Sequence, residues 1–429
     1  MRFLLVLGVA VASFAVGLPR VAVAAGYEVW VIDQSDTTSE GGGTLYVYQG
    51  QALTGGTAAT AVPERIDLGR AAQRFCLERT GSAPRRPHMI SFNHAHSHAI
   101  VSYVTSGHVL FMVAATRTPA ACLDVGAEAH AAFPSPDQSH VVVANQNGKL
   151  LQRVRTDYAR NSFVLEPDAT LDLARCRTPS GAPCEDPVLR PDNAPVCPVI
   201  DSTGRLTFVT LRGGGLLVVD GTTTPMSILA EYDRATVHPN GCGGAEAAGK
   251  MYIRAGGGTA ADPVHSDLYA FPLSRYSATA HAPNTPAPAL VFSHDDRRFV
   301  DGHGGTLTKG GRFLWVGDRF ANRLIVVDTA TDRVVNEIGL SGRVSSDPAP
   351  DILDVAPAGD WIFVSLRGPT PLTMNARGVD NAVGGTPGVG VVRVESDGWR
   401  GALVDVAPIR RVVDGVERAD PHGLKVRWP

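Results

Sequence analysis

The chain has 429 residues, a formal net charge of −3 and 19% charged residues. Its length allows a large core and by itself suggests two or three domains, although closed all-β architectures often exceed that size as one unit. The balanced charge excludes a broad basic surface, so nucleic acid is not an expected partner. No polybasic segment is present that would hold the chain at a membrane surface.

Residues 1–25 are predicted to be a secretory signal peptide. Arg2 supplies the positive charge, residues 3–18 form the apolar run, and residues 22–24 give a small-residue cleavage pattern. An N-terminal membrane anchor is the alternative, but the run is short for a span and no later segment reaches spanning length. We therefore expect residues 26–429 to be exported to the periplasm without membrane insertion.

Export makes the six cysteines candidates for disulfide bonds. One pair brackets a short loop rich in Pro and Gly, and a second pair occupies matching places in neighbouring repeats, which leaves the third. The predicted pairs are Cys176–Cys184, Cys197–Cys242 and Cys76–Cys122. If all three form, no thiolate remains for catalysis or for metal binding.

A repeat of about 40 to 50 residues fills the chain after the signal peptide. Each unit opens on a polar residue or cysteine, followed by a short apolar strand, a turn and a β-branched strand. The last unit has only one strand, so strands from residues 27–70 would complete it. This pattern predicts an all-β fold, a single seven-bladed β-propeller closed by pairing of the N- and C-terminal strands, which removes exposed sheet edges. A pair of β-sandwiches is the alternative, but it does not explain the repeat. The openings are His88, His130, Cys197, Cys242, His303, Asp351 and His422.

The first strand of every propeller blade lines the central channel, so the opening residues are predicted to form a ring around the axis. Imidazole nitrogens and carboxylate oxygens are ligands for Zn²⁺. The ring is therefore a candidate zinc site. Histidines hydrogen-bonded to neighbouring backbone are the alternative. The candidate ligands in the ring are His88, His130, His303, His422 and Asp351.

A second histidine cluster lies at His94, His96 and His98. In an extended backbone, alternate side chains point to the same side, so these three imidazoles would face one way. A polar loop with solvated histidines is the alternative. We expect His98 to join the ring site, and His94 and His96 to act as mobile ligands. The remaining histidines are interpreted as ordinary polar positions: His108, His140, His238, His265, His281 and His294.

Seven segments of the chain also carry a family resemblance. They are Pro87–Asn93, Ser97–Val109, Val143–Leu151, Arg190–Pro198, Thr210–Gly215, Ala230–Thr236 and Asn240–Gly244. In these segments, over most of the mature chain, the sequence resembles the periplasmic zinc metallochaperones of the AztD type. The resemblance implies a β-propeller that binds zinc and passes it to the solute-binding protein of a zinc ABC importer.

Family members combine a high-affinity site in the propeller with mobile ligands from a His-rich loop. This chain has no histidine before His88, so a site built from an N-terminal His-rich tail is absent. The resemblance thus implies a zinc carrier, which we expect to act as a monomer and not as an enzyme.

An exported propeller enzyme is the rival interpretation, either a copper-dependent oxidase of small thiols or a lactone hydrolase. Against catalysis, the chain lacks carboxylates paired for acid–base work, a Gly-x-Ser-x-Gly motif and a Gly-rich phosphate loop. A scaffold that binds another protein without any metal is a third alternative.

Overall fold

The computed structural model describes residues 26–35, 42–259, 262–294, 300–372 and 383–428. The predicted signal peptide lies outside these residues. Within them the chain forms seven antiparallel sheets of four strands each, which are the predicted seven blades. No helix in the described part of the chain is long and apolar enough to cross a membrane.

The N-terminal part of the described chain contains three strands and two helices. These are β1 (Glu28–Asp33), β2 (Thr44–Gln49), α1 (Gly50–Thr54), β3 (Glu64–Asp67) and α2 (Leu68–Thr80). Blade one follows with β4 (Pro87–Phe92), β5 (His98–Tyr103), β6 (His108–Val113) and β7 (Thr118–Asp124). Blade two consists of β8 (Ala129–Pro134), β9 (His140–Asn145), β10 (Leu150–Asp157) and β11 (Ser162–Asp172).

The middle blades repeat this plan. Blade three consists of β12 (Pro195–Ile200), β13 (Leu206–Leu211), β14 (Leu216–Asp220) and β15 (Ser227–Tyr232). Blade four consists of β16 (Gly244–Ala247), β17 (Lys250–Thr259), β18 (Asp262–Pro272) and β19 (Ala289–His294). Blade five consists of β20 (Gly302–Leu307), β21 (Phe313–Asp318), β22 (Arg323–Asp328) and β23 (Arg333–Gly339).

The last part of the chain forms blade six and returns to the first strand of the fold. Blade six consists of β24 (Pro350–Val355), β25 (Trp361–Leu366), β26 (Gly388–Glu395) and β27 (Arg400–Pro408). A small hairpin follows, β28 (Val412–Val413) with β29 (Val416–Glu417), and the final strand is β30 (Pro421–Arg427).

Blade seven closes the ring as the sequence predicts. Its strand order is β3-β2-β1-β30, so the C-terminal strand occupies the innermost place and the N-terminal strands complete the sheet. The antiparallel pairing of β1 with β30 joins residues almost four hundred positions apart, as in the pair Glu28–Arg427. This pairing leaves no unpaired edge at the junction of the two termini.

The blade strands are rich in β-branched and aromatic residues because neighbouring blades pack face to face and cover both surfaces of each sheet. Strand β9 (HVVVAN) is buried along its whole length, and β22 (RLIVVD) is buried from its second residue onward. The apolar cores therefore lie between the blades, and one further cluster joins apolar residues of the innermost strands of several blades, among them Met89, Ala131 and Ile352.

All three predicted disulfides are present: Cys76–Cys122, Cys176–Cys184 and Cys197–Cys242. The first ties α2 to β7. That helix starts where the Asp67 side chain accepts a hydrogen bond from the Arg70 backbone N–H, and it ends at Gly81, whose φ of 79° needs a glycine. The described part of the chain contains no free cysteine. Disulfides of this number are typical of proteins that fold outside the reducing cytoplasm.

Candidate metal centre

The first strands of the blades carry an irregularity at the residue that faces the axis. A β-bulge leaves a residue outside the ladder and turns its side chain in a new direction. In β8 the register shifts between Ala129 and Ala131, which frees His130 from regular pairing. Four other first strands have a register shift at or next to the equivalent residue, which is His88 in β4, Cys197 in β12, His303 in β20 and Asp351 in β24.

Hydroxyl side chains satisfy the backbone groups that these bulges release. Ser102 donates to the His130 carbonyl oxygen at 3.0 Å, and Ser365 donates to the His422 carbonyl oxygen at 2.6 Å. Thr210 is bonded in the same way to the Gly241 carbonyl oxygen of the next blade. Our sequence reasoning missed these residues, although each is the fifth residue of the second strand of its blade.

The structure brings the four ring histidines together, as predicted. The Nε2 atoms of His88 and His130 lie 3.3 Å apart. The His88 ring is stacked on the His422 ring with centroids 4.0 Å apart, and the His303 and His422 centroids are 5.4 Å apart. Four imidazoles from four blades thus share one end of the channel. Their role as metal ligands stays a prediction.

A glycine permits the close packing of β30 against β4. A Cβ atom on Gly423 would lie 2.5 Å from the His88 carbonyl oxygen, which is closer than real Cβ atoms come to backbone oxygens. The sequence His422-Gly423 therefore lets the last strand approach near enough for the two imidazoles to stack.

Asp351 lies between two of the histidines. The Nδ1–H of His422 donates to Asp351 Oδ2 at 2.5 Å, and His303 Nδ1 lies 2.6 Å from Oδ1. Burial alone would raise the pKa of this carboxyl, but its basic neighbours outweigh burial and hold the pKa well below the usual range. They are His422, His303, Arg367 and Arg319. Both carboxylate oxygens are thereby occupied.

Acceptor oxygens fix the protonation of two ring histidines. His422 Nδ1 is hydrogen-bonded to Asp351, and His88 Nδ1 lies 3.2 Å from the Gln34 side-chain oxygen, whereas His303 Nδ1 is near Asp351 without forming a hydrogen bond. In a neutral imidazole a proton on Nδ1 leaves the lone pair on Nε2. The Nε2 atom of His422 is buried and has no hydrogen-bond partner. Metal-binding histidines are commonly oriented in this way, through the nitrogen that does not bind the ion.

The environment of the ring keeps the imidazoles neutral. Burial, helped by the nearby histidines His422 and His303, lowers the pKa of His130 to about 3. His130 retains some exposure to the channel, but its Nδ1 atom is buried. Burial also lowers the pKa of His422 to about 4, with Asp351 acting in the opposite direction, and lowers the pKa of His88 well below its ordinary value. Neutral imidazole is the form that binds a metal ion.

The second predicted cluster does not join the ring. Residues 94–97 form the turn between β4 and β5 and not an extended strand, so the expectation of three imidazoles on one side is wrong. His94 is exposed, and His96 packs between Phe92 and Trp428 with a φ of 51°. Strand β4 begins at the ring and ends at this turn, which therefore lies at the other face of the propeller.

His98 lies in the packing between blades one and two. Its Nε2 atom is 2.7 Å from the Asn161 side-chain oxygen, and its ring contacts Tyr158 and Phe163. Both ring nitrogens have polar neighbours, since Nδ1 is 2.9 Å from the Ser97 hydroxyl. The structure thus gives no contact between this histidine and the four of the ring.

Two groups of three possible ligand atoms within 4.8 Å of one another occur among the described residues. The first is His130 with Cys197 and Cys242, but both sulfurs belong to a disulfide and offer no thiolate. The second is His238 with His265 and Asp267. We had interpreted these two histidines as ordinary polar positions, and the structure corrects that interpretation by placing them beside a buried carboxylate.

Comparison with known proteins identifies the fold and no family. No protein-family model matches the chain, and no curated protein matches it. A solved protein from Lactobacillus plantarum is similar, with a TM-score of 0.58, 12% identity and coverage of 94% of this chain and 99% of the other. The periplasmic gluconolactonase of Pseudomonas aeruginosa has a TM-score of 0.55 and 14% identity, with coverage of 94% and 99%. A candidate 6-phosphogluconolactonase from Bacteroides fragilis has a TM-score of 0.54 and 11% identity, with the same coverage.

These similarities define the class as seven-bladed β-propellers, a class with periplasmic and lactonase-like members. They also correct one prediction. We expected from missing sequence motifs that the chain would not be an enzyme. That inference is wrong, because enzymes are found among the proteins that share its fold over nearly the whole length, so the missing motifs do not exclude catalysis.

Proposed function

We propose that this protein is a periplasmic zinc metallochaperone, which holds Zn²⁺ in the axial histidine ring and delivers it to the solute-binding protein of a zinc ABC transporter. The observation that carries the proposal is the buried Nε2 atom of His422, which has no hydrogen-bond partner while Nδ1 is bonded to Asp351. A buried lone pair without a partner is energetically unfavourable, and a bound cation would satisfy it.

The donor set of the ring fits zinc as the cargo. His88 and His422 offer Nε2 atoms, and His130 and His303 each offer a further nitrogen, so four neutral donors come from four blades. Zinc prefers four nitrogen or sulfur ligands in a tetrahedral arrangement. Zinc binds an imidazole through the nitrogen lone pair, which lies in the plane of the ring, so the stacked rings of His88 and His422 would have to rotate for both to bind one ion.

Asp351 has an orienting role in this proposal. Arg319 and Arg367 already contact its two oxygens, at 3.4 and 2.9 Å. The carboxylate therefore holds the imidazole of His422 in the tautomer that binds zinc, and it lies beside His303. Our sequence-based prediction had counted Asp351 among the ligands themselves.

Two further observations support the compartment and the partner. The three disulfides fit an oxidising compartment, and the segments quoted above resemble periplasmic zinc metallochaperones. A metal released in the periplasm is diluted, whereas direct exchange of ligands passes it to one acceptor. A solute-binding protein of a zinc importer is the acceptor that the resemblance implies.

The experiment measures zinc affinity and then zinc transfer. The H130Q/H422Q variant should lose tight zinc binding in competition with a chromophoric chelator. The H281Q/H294Q variant, which also lacks two histidines, is the matched control and should bind like the wild type. Unchanged zinc affinity in H130Q/H422Q contradicts the site. Transfer to a solute-binding protein no faster than spontaneous zinc dissociation contradicts the chaperone role.

Lactone hydrolysis at the same site is a second candidate function. The fold shared with the gluconolactonase favours it, and so does the pairing of His422 with Asp351. Such a pair can take a proton from water through Nε2, with Asp351 stabilising the imidazolium that forms. Hydrolysis of a gluconolactone that persists with chelator and disappears in H422Q supports this function. A rate equal to the uncatalysed rate, with and without zinc, excludes it.

A further inference from the structure

A separate cluster of histidine and carboxylate lies between blades three and four. His265 and Asp267 are alternate residues of β18, so their side chains lie on the same face of that strand. His238 belongs to the connection from β15 to β16 and is stacked on His265 with ring centroids 3.9 Å apart. The three residues come from this connection and from blade four, and they meet only in the folded chain.

The geometry of this cluster is close to that of a zinc site. His238 Nδ1 lies 2.6 Å from Asp267 Oδ2, and His265 Nδ1 lies 3.9 Å from the same oxygen. Ligand atoms around a tetrahedral zinc ion are about 3.3 Å apart, given bonds of about 2.0 to 2.1 Å. The two separations lie on either side of that value, and one of the two stacked imidazoles has to rotate so that both lone pairs point at the ion.

Asp267 is the buried centre of the cluster. It is fully buried, and its Oδ1 atom has no hydrogen-bond partner. Arg254 donates to the backbone carbonyl of Asp267 at 3.2 Å, and the contacts from His238 and Tyr269 to the carboxylate are made at Oδ2. A carboxylate oxygen buried without a partner is unfavourable, and a cation bound by the carboxylate offsets that cost.

The Tyr269 hydroxyl links two members of the cluster through hydrogen bonds. It accepts a hydrogen bond from the His238 backbone N–H at 3.3 Å and donates to Asp267 Oδ2 at 3.4 Å. A partner of this kind fixes the orientation of residues that bind a metal. The contact therefore links the loop that carries His238 to the strand that carries the carboxylate.

We propose that His238, His265 and Asp267 form a second binding site for a divalent transition metal, distinct from the axial ring. Two imidazoles and one carboxylate suit zinc, iron or cobalt, and they leave at least one position open for water or another ligand. On binding, the ion takes the place of the proton between His238 and Asp267, and that imidazole carries its proton on Nε2. The His238 side chain is 30% exposed, so the ion reaches this site directly from solvent.

Co²⁺ is the probe, because its visible absorption reports each bound ion and its ligands. The full chain is stripped with chelator, loaded with Co²⁺ and then mixed rapidly with EDTA. The site of His238 should lose its ion in a fast phase because of its exposure. Any ion held by the buried ring should follow in a slower phase.

The H238Q/H265Q variant should bind one Co²⁺ fewer than the wild type and lose the fast phase. The matched control H281Q/H294Q should keep both. D267N, which preserves the shape of the side chain, should reduce Co²⁺ affinity at least tenfold, and it tests the proposal even if the double variant folds poorly.

An unchanged fast phase in H238Q/H265Q and D267N overturns the second site, and so does a wild-type chain without a fast phase. Failure of the axial ring has a different signature. In that case the wild type binds Co²⁺ in the fast phase alone and H130Q/H422Q behaves like the wild type.

Discussion

Replacement of His130 should make the stability of the metal-free protein less sensitive to acid. His130 is neutral in the folded chain, because burial lowers its pKa to about 3. In the unfolded chain its pKa returns to about 6.5. Between these two values the unfolded state holds a proton that the folded state lacks, so stability falls as the pH falls from the upper value toward the lower one.

The change in the free energy of unfolding depends on the pKa of His130 in the unfolded chain, because His130 stays neutral in the folded chain above pH 5. Lowering the pH from about 7.5 to about 5 costs roughly 2 kcal/mol for one such histidine, at 1.36 kcal/mol per pKa unit. The H130Q variant lacks this titration. Its free energy of unfolding should therefore drop by roughly 2 kcal/mol less than that of the wild type over the same interval.

The measurement is urea unfolding with EDTA at the two pH values, with the disulfides intact. The comparison uses the change with pH in each protein, so a general loss of stability in H130Q cancels. The H281Q variant controls for the loss of one histidine elsewhere in the chain. An equal pH dependence in H130Q and the wild type would show that His130 is not buried in its neutral form, and the reasoning about the ring would be refuted.

Three further predictions concern the ring and the frame that holds it. D351N should weaken zinc binding by about 10- to 100-fold in chelator competition, since the orienting carboxylate is lost; unchanged affinity would contradict its role. C76S/C122S should lower the free energy of unfolding by about 4 kcal/mol, as expected for a closed loop of this length, and a loss below about 1 kcal/mol would show that the link is redundant. Deletion of residues 421–429 should open blade seven and give aggregates in size-exclusion chromatography, and a monomeric peak would contradict the closure.

The fold could be predicted because the sequence repeats. Each blade repeats one pattern of strands and turns, and a repeat assigns the same place to equivalent residues of different blades. For this reason His88 and His422, far apart in the chain, could be expected to meet at the axis. The disulfide Cys197–Cys242 followed from the same equivalence between neighbouring blades.

The site residues that the sequence analysis did not predict have no equivalent positions in the repeat. His238 lies in a connection and His265 on a third strand, so nothing in the register of the first strands relates them. The alternation His265-Ser266-Asp267 was the available signal, since it places an imidazole and a carboxylate on one face of a strand. The prediction for His94 and His96 was wrong for another reason. Alternate side chains point to a common side only where the backbone is extended, and these residues form a turn.

The direction of the strands decides which histidines can take part in transfer of an ion. First strands begin at the face that carries the ring, and third strands such as β18 begin at the same face, so His238 and the ring share it. His94 lies six residues after His88 at the far end of β4, a path of roughly 20 Å along a strand. An ion leaving the ring by His94 would have to cross the length of the channel, whereas the face that carries His238 is close to the ring end of every first strand. In the proposed transfer we therefore expect the acceptor to dock at the face that carries His238.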